Sequence, residues 1–166
     1  LLPFRVFVPS CFRDCFLLIV YCFLLCLLYA VFWILAEFCM LKLIPLGGLG
    51  EIGLNMMALE YGDHVLVVDS GLMFPEEYMP GVDFVIPDIQ YLRDRRDSVK
   101  WIVLTHGHED HIGGMPFLLR EFNLPVFGTS FTIELLKEKL REHNLLQNAL
   151  LQKVKPGEIS EFGPFK

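Results

Sequence analysis

Residues 40–166 contain no cysteine, because all five cysteines of the chain lie before Met40. This region therefore offers no disulfide framework. The chain also has no excess of positive charge, since 14 Lys and Arg stand against 20 Asp and Glu and give a formal net charge of −6. A broad nucleic-acid-binding face needs clustered Lys and Arg, so the composition argues against one but leaves room for a local RNA site. A length of 166 residues fits one globular domain.

Residues 1–39 form an apolar leader that also holds seven of the fifteen Phe. Within it, residues 15–36 carry no charge and, at about 1.5 Å per residue, are long enough to cross a bilayer as a helix. However, Arg5 and Arg13 precede this stretch, and the positive-inside rule would then place everything after Met40 outside the cytoplasm. We favour the interpretation that residues 1–39 are translated upstream sequence and that Met40 is the native start. A transmembrane segment at 15–36 is the alternative.

Residues 40–166 have the pattern of an α/β domain. Apolar runs predict strands at 41–46, 55–61, 64–69, 101–105 and 125–129. Gly62-Asp63 is a turn pair that predicts a hairpin between the second and third strands. Helices are predicted near 89–96, at 115–122 and at 130–144, the last with Ile133, Leu136 and Leu140 on one face and Thr129 or Ser130 as its N-cap. Three prolines in residues 74–88 predict an irregular segment.

A glycine-rich loop at 47–53 matches the dinucleotide-binding pattern G-x-G-x-x-G through Gly48, Gly50 and Gly53, with Asp69 sixteen positions later. That pattern needs a helix directly after the glycines, because the helix N-terminus binds the pyrophosphate. The residues that follow have a turn signal at Gly62 and no room for both a helix and a strand. We therefore predict a tight loop between strands and no dinucleotide site.

The stretch LTHGHEDHIGG, residues 104–114, follows a predicted buried strand and holds four ligand-type side chains: His106, His108, Asp110 and His111. Positions two apart in an extended segment point the same way, so His106 and His108 can bind one ion. Where the chain turns into a helix, Asp110 and His111 face a second position. Imidazole and carboxylate suit Zn²⁺, and an incomplete protein shell leaves room for water. The spacing therefore predicts a metal site.

These residues also carry a resemblance to a known family. THGHEDH resembles the metal-binding motif of the metallo-beta-lactamase superfamily, and VVDSG resembles its first motif. The longer stretches PLGGLGEIGLNM, VVDSGLMFPEEYMPGVDFVIPD and PVFGTSFT are similar to the start of the ribonuclease J family, in the beta-CASP branch of that superfamily. The resemblance covers essentially all of residues 40–166. It implies the αββα sandwich of that fold, with only its N-terminal portion present.

The resemblance implies two zinc ions, one bound by His106 and His108 and the other by Asp110 and His111. Asp69 would orient these ligands. The ions would activate a water that attacks the phosphate of RNA, with Asp110 and His111 as catalytic residues and Asp110 helping to handle the proton. The implied activity is that of a cytoplasmic 5′-3′ exonuclease and endonuclease in RNA processing and decay. Its partners would be RNA and, in the full-length protein, further copies of itself.

The chain stops before the later metal-binding motifs and the RNA-clamping domain of that family, so we expect this portion to be inactive alone. Two alternatives remain from other classes. One is another hydrolase of the superfamily, such as a thioesterase or lactonase, against which the proline-containing loop at 74–88 argues. The other is a membrane-anchored, non-catalytic protein, which requires residues 15–36 to be a real anchor.

Overall fold

The computed structural model describes residues 21–31 and 40–166. The chain divides into two units, Leu1–Met40 and Leu41–Lys166, and each is described by itself. In the first unit, residues 21–31 are helical (α1) with exposed side chains. The predicted leader and the alternative anchor at 15–36 extend outside the described residues. No helix among the described residues is both long and apolar enough to cross a membrane.

In the second unit, six strands form one mixed sheet whose spatial order follows the chain. The strands are β1 Lys42–Gly47, β2 Met56–Tyr61, β3 His64–Val68, β4 Val99–Val103, β5 Val126–Thr129 and β6 Leu151–Val154. The first three are antiparallel, and β3 to β6 run parallel. The hairpin predicted at Gly62-Asp63 joins β2 and β3. Since β3, β4 and β5 run parallel, their carboxyl ends meet at the same edge of the sheet.

The connections after β3 are mostly helical. The helices are α2 Gln90–Asp94, α3 Glu109–Ile112, α4 Met115–Glu121 and α5 Ser130–Glu142, followed by a 3₁₀ turn at Leu146–Asn148. The N-cap of α5 is Thr129, whose side chain accepts from the backbone N–H of Thr132. Residues 74–88 are irregular, as the three prolines predict. The sequence-based expectations for these elements are therefore confirmed.

The core lies between one face of the sheet and helices α2, α4 and α5. Buried strand residues such as Ala58, Val67 and Ile102 pack there against Leu92, Leu118, Leu136 and Leu140 of the helices. Burial of this apolar surface is the main stabilising contribution. The opposite face is also apolar, and Phe162 packs there on Phe127 with ring centroids 4.7 Å apart. A groove of about 570 Å³ remains open on that face, lined by Leu59, Tyr61 and Val68 among others.

Candidate metal centre

Asp69 directly follows β3 and lies buried at the carboxyl edge of the sheet. Its backbone φ is +60°, a left-handed conformation that Asp and Asn tolerate better than most residues. This turn directs the carboxylate across the end of β4, where Oδ1 accepts from the backbone N–H of Thr105 at 2.8 Å and Oδ2 accepts from Thr105 Oγ1 at 2.6 Å. Asp69 thereby fixes the start of the histidine segment.

His111 lies on α3, the short helix that begins directly after His108. Its Nδ1 is 2.8 Å from Asp69 Oδ2, and because a carboxylate only accepts, Nδ1 is the protonated nitrogen. The other nitrogen, Nε2, then carries a lone pair and lies 3.5 Å from Asp110 Oδ2 and 3.2 Å from the side-chain nitrogen of Asn55. A carboxylate that orients one ring nitrogen while the other is left for an ion is the usual arrangement around metal-bound histidine.

His106 and His108 come together in the extended segment before α3. His106 Nε2 lies 3.1 Å from His108 Nδ1, and the His106 ring centroid is 4.0 Å from that of His111. The Thr105 hydroxyl donates its one hydrogen to Asp69, so at 3.1 Å it accepts from His106 Nδ1. His106 Nε2 then carries a lone pair, and its recognised contact is His108 Nδ1 at 3.1 Å. The four predicted ligand side chains thus lie in one cluster at the sheet edge, with Asp69 beneath it.

Backbone hydrogen bonds connect α3, which carries part of this cluster, to the loop that follows β3. Ser70 N–H donates to the carbonyl of His111 at 2.8 Å, and Leu72 N–H donates to the carbonyl of Glu109 at 3.2 Å. Gly71 packs so closely on α3 that a Cβ at this position would lie 1.7 Å from the carbonyl oxygen of Asp110. The position of α3 is therefore set by the loop that follows Asp69.

The donor set can be tested against the coordination that zinc requires. Zinc binds His nitrogen at about 2.0–2.1 Å in tetrahedral geometry, which puts two donors of one ion roughly 3.3–3.5 Å apart. The His106–His108 nitrogen pair is 3.1 Å apart, and the His111–Asp110 pair is 3.5 Å apart. Among the residues that the structure describes, however, no group of three or more His, Cys, Asp or Glu is arranged to hold a metal ion. The described residues therefore bring four ligand-type side chains together as two pairs of donors, and neither pair is a complete ligand set.

Two polar contacts of the cluster were not found from the sequence. Asn55, two residues after the glycine-rich loop, places its side-chain nitrogen 3.0 Å from Asp110 Oδ2 and 3.2 Å from His111 Nε2. Thr105 links Asp69 to His106. Thr105 adjoins the histidine motif and could have been suspected from that position. Nothing in the sequence indicates that Asn55 contacts Asp110, which lies fifty-five positions later.

The sequence profile of the metallo-beta-lactamase superfamily matches residues 49–160 of this chain. The chain belongs to the metallo-beta-lactamase superfamily. The matched range includes residues 49–53 of the glycine-rich loop, Asp69 and the whole histidine cluster. The predicted α/β fold class and the resemblance to this superfamily are therefore confirmed. Membership of the metallo-beta-lactamase superfamily implies a metal cofactor.

Curated relatives in this superfamily carry the name Ribonuclease J. The chain is 47% identical over 124 residues to Ribonuclease J of Synechocystis sp., covering 74% of this chain and 19% of the relative. It is 48% identical over 109 residues to Ribonuclease J 1 of Streptococcus pyogenes, covering 66% of this chain and 20% of the relative. The chain thus spans about a fifth of the length of these curated relatives.

Solved structures also resemble the chain. Metallo-beta-lactamase SMB-1 bound to 2-mercaptoethanesulfonate aligns at 18% identity and a TM-score of 0.44, covering 76% of this chain and 52% of that protein. The resemblance to the ribonuclease J relatives is much higher in sequence and confirms the similarity predicted from the longer motifs.

Proposed function

We propose that this chain is part of a metal-dependent ribonuclease and carries half of its metal ligands. The observation that carries the proposal is the cluster of free imidazole and carboxylate donors at the sheet edge, in a chain 46–48% identical to relatives named Ribonuclease J. In this proposal the substrate is RNA and the reaction is hydrolysis of its phosphodiester bonds. The 5′-3′ exonuclease and endonuclease modes, assembly into a homo-oligomer and a cytoplasmic location follow from the family resemblance.

The proposed roles of the residues follow from their contacts. His106 and His108 would hold one Zn²⁺, and Asp110 and His111 would hold the other. Asp69 would keep His111 Nε2 unprotonated by accepting from Nδ1, a contact of 2.8 Å. When bound, the ions would supply a nucleophilic water near neutral pH and positive charge for the phosphate in the transition state. Asp110 would also accept or return a proton during the reaction.

The ligand assignment can be tested in the full-length gene product that contains this chain. We expect His108→Ala and Asp110→Ala to lose zinc, measured by metal analysis after gel filtration, and to lose hydrolysis of a 5′-monophosphorylated RNA. His143→Ala is the matched control, because this half-buried histidine contacts Arg120 and Phe117 and lies outside the cluster. Near-normal activity of the Asp110 variant would refute the assignment.

We also propose that the 166-residue chain alone is a poor nuclease. Each proposed ion has two protein donors here, whereas catalytic zinc sites keep three protein ligands. We expect titration of the chain with Zn²⁺ to show weak binding and RNA assays to show no turnover. Tight binding of two zinc ions together with turnover would contradict this proposal and point to a site completed in another way, such as self-association.

A further inference from the structure

The side-chain amide of Asn55 faces both members of one proposed ligand pair. Its single nitrogen lies 3.0 Å from Asp110 Oδ2 and 3.2 Å from His111 Nε2, and these two acceptors are 3.5 Å apart. An amide nitrogen has two hydrogens, so it can donate to both acceptors at once. Both are free to accept, since the carboxylate has no proton and His111 is protonated on Nδ1. Asn55 therefore holds the two atoms that the proposed ion would bind.

The backbone of Asn55 strengthens this connection. Its N–H donates to the carbonyl of Asp110 at 3.1 Å, and its carbonyl accepts from Gly71 N–H at 3.0 Å. Asn55 is thus joined to Asp110 through the main chain and through the side chain. A ligand held at both points loses little freedom when an ion binds, which is how outer partners of metal ligands raise metal affinity.

The glycine-rich loop fixes the orientation of the amide. Gly48 has a φ of +80°, and a Cβ added there would lie 2.7 Å from Asn55 Oδ1. The carbonyl side of the amide is therefore packed against the loop, and the nitrogen side is directed at Asp110 and His111. In the structure the element after this loop is strand β2, Met56–Tyr61, and not the helix that dinucleotide binding needs.

An ion bound to His111 Nε2 would take the lone pair that Asn55 contacts, so that hydrogen bond would be given up. The bond to Asp110 Oδ2 can remain, because a carboxylate oxygen has a second lone pair. It is also the stronger of the two, since its acceptor is charged. Loss of the amide should therefore weaken metal binding rather than improve it.

We propose that Asn55 is a positioning residue of the metal centre, and that the glycine-rich loop of residues 47–53 holds its amide on Asp110 and His111 so that both are preorganised for the ion. The inference rests on the proposed metal site. It concerns a residue that neither the histidine motif nor the predicted ligand set includes.

The test is zinc affinity of the full-length gene product, measured by competition with a chromophoric chelator. We expect Asn55→Ala to bind Zn²⁺ about 10- to 100-fold more weakly. Activity should recover as zinc is raised, because the ligands themselves are intact. Asn123→Ala is the matched control, since Asn123 is exposed and far along the chain on the loop after α4. Its affinity should equal that of the unmodified protein.

Two further measurements separate positioning from a general loss of structure. The melting temperature of each metal-free protein reports whether Asn55→Ala folds. Gly48→Ala keeps the Asn55 side chain but crowds its amide, with Oδ1 at 2.7 Å from the added Cβ, so it should weaken zinc binding in the same direction. An Asn55→Ala protein that melts lower yet binds zinc as tightly as the unmodified protein would overturn the inference.

The same titrations distinguish this inference from the proposed function. If the unmodified protein binds zinc and His108→Ala loses it, while Asn55→Ala and Gly48→Ala bind normally, only the role of Asn55 is refuted. If the unmodified protein binds no zinc, or His108→Ala binds it unchanged, the proposed metal site fails and the role of Asn55 fails with it.

Discussion

Two buried carboxylates lie at opposite edges of the sheet, and their surroundings differ in charge. Glu60 pairs with Val65 at the start of β3, whereas Asp69 follows the end of that strand. Glu60 is 7% exposed and Asp69 is 4% exposed, so both pay a desolvation cost that partners must offset. Those partners differ: Glu60 belongs to a structural cluster, whereas Asp69 belongs to the candidate metal site.

Glu60 is surrounded by positive charge. Its carboxylate accepts from Lys42 Nζ at 2.9 Å and from Tyr91 Oη at 2.5 Å, and it forms an ion pair with Arg95 Nε at 2.7 Å. The Arg95 guanidinium also lies over the Tyr91 ring, 4.0 Å from its centroid. This cluster joins β1, β2 and the region of α2, and two cations of the protein offset the single negative charge of Glu60. It needs no ligand.

Asp69 and Asp110 lack such compensation. Within the described part of the chain, no Lys or Arg is paired with either carboxylate, and the basic side chain beside both is His111, which is neutral in the tautomer described above. Two carboxylates and free imidazole nitrogens at one edge form a place where a cation would be stabilised. This difference in charge between the two surroundings is consistent with the metal site proposed above.

The largest effect should come from Gly71→Ala. The added Cβ would lie 1.7 Å from the carbonyl oxygen of Asp110, so the loop after β3 and helix α3 must move apart. We expect a loss of about 3 kcal/mol in unfolding free energy, because overpacking in fixed backbone is costly. Zinc binding should be lost as well. Denaturant unfolding and zinc titration of the full-length protein measure both.

Gly128→Ala is the control for that substitution, since a Cβ there would meet its neighbours at 3.4 Å or more, which is ordinary contact. If Gly71→Ala folded and bound zinc as the unmodified protein does, the proposed locking of α3 by this loop would be wrong.

Asp69→Asn should have the next largest effect. Asn tolerates the left-handed backbone and keeps one oxygen acceptor, but it removes the charge and presents hydrogens to Thr105 or His111. We expect zinc affinity to fall about 10- to 100-fold and stability to fall by about 1–2 kcal/mol. Asp97→Asn, at an exposed position, is the control. An unchanged zinc affinity would remove Asp69 from the metal centre.

The sequence predicted the parts of this molecule that depend on contiguous residues. Apolar runs predicted five of the six strands in residues 40–166, and Thr129 was one of two predicted caps of α5. Strand β6, Leu151–Val154, was missed because four residues with two polar side chains give little periodic signal. Its strand conformation comes from pairing with β5. Strand pairing in the folded protein therefore determines the conformation of residues whose local sequence pattern does not predict it.

The same distinction applies to the site. The cluster from His106 to His111 is one short stretch, so its spacing alone predicted ligands. Asn55 reaches Asp110 only because backbone hydrogen bonds bring the glycine-rich loop, the loop after β3 and α3 together. Contacts set by such folding have no signature in a single sequence, and the structure was needed to find them.

Glu60→Gln should destabilise the protein without affecting zinc. The substitution removes the negative charge but keeps hydrogen-bonding capacity, and Lys42 and Arg95 are about two-fifths exposed and remain hydrated. We therefore expect a loss of about 1–2 kcal/mol, within the lower range for hydrogen bonds to charged groups. Zinc affinity should stay constant. A zinc affinity that fell with Glu60→Gln would break the contrast between the two carboxylates.

The pH dependence of that loss has a defined sign. Burial raises the pKa of Glu60, but hydrogen bonds from Tyr91 and Lys42 and the charges of Arg95 and Lys42 outweigh it, so the pKa lies below its ordinary value of 4.5. A lowered carboxylate pKa contributes stability above the unfolded value, and this stability is lost as pH falls through the folded value. The difference between the unmodified protein and Glu60→Gln should therefore shrink below about pH 4.5. A difference that grew on acidification would contradict the assignment.

The smallest effect should come from Tyr91→Phe, which removes one donor from Glu60 and leaves both cations in place. Because Tyr91 is partly exposed, we expect a loss of about 1 kcal/mol in unfolding free energy at neutral pH. Tyr78→Phe, at a side chain 71% exposed, is the control and should leave stability unchanged. Equal losses in the two variants would show that the Tyr91–Glu60 bond contributes nothing to stability.

Alkaline titration of the phenols provides the independent check on Tyr91. Burial, followed by donation to Glu60 and the negative charge of that carboxylate, raises the pKa of Tyr91 from 10.0 to about 12. A raised pKa contributes stability below the unfolded value, and this stability is lost as pH rises through the folded value. Ultraviolet absorbance should therefore show one late phenol near pH 12 that is missing in Tyr91→Phe. In Glu60→Gln the same phenol should titrate earlier, because the acceptor charge is gone. If it titrated unchanged in Glu60→Gln, burial alone would account for the raised pKa of Tyr91, and the Tyr91–Glu60 bond would contribute nothing to it.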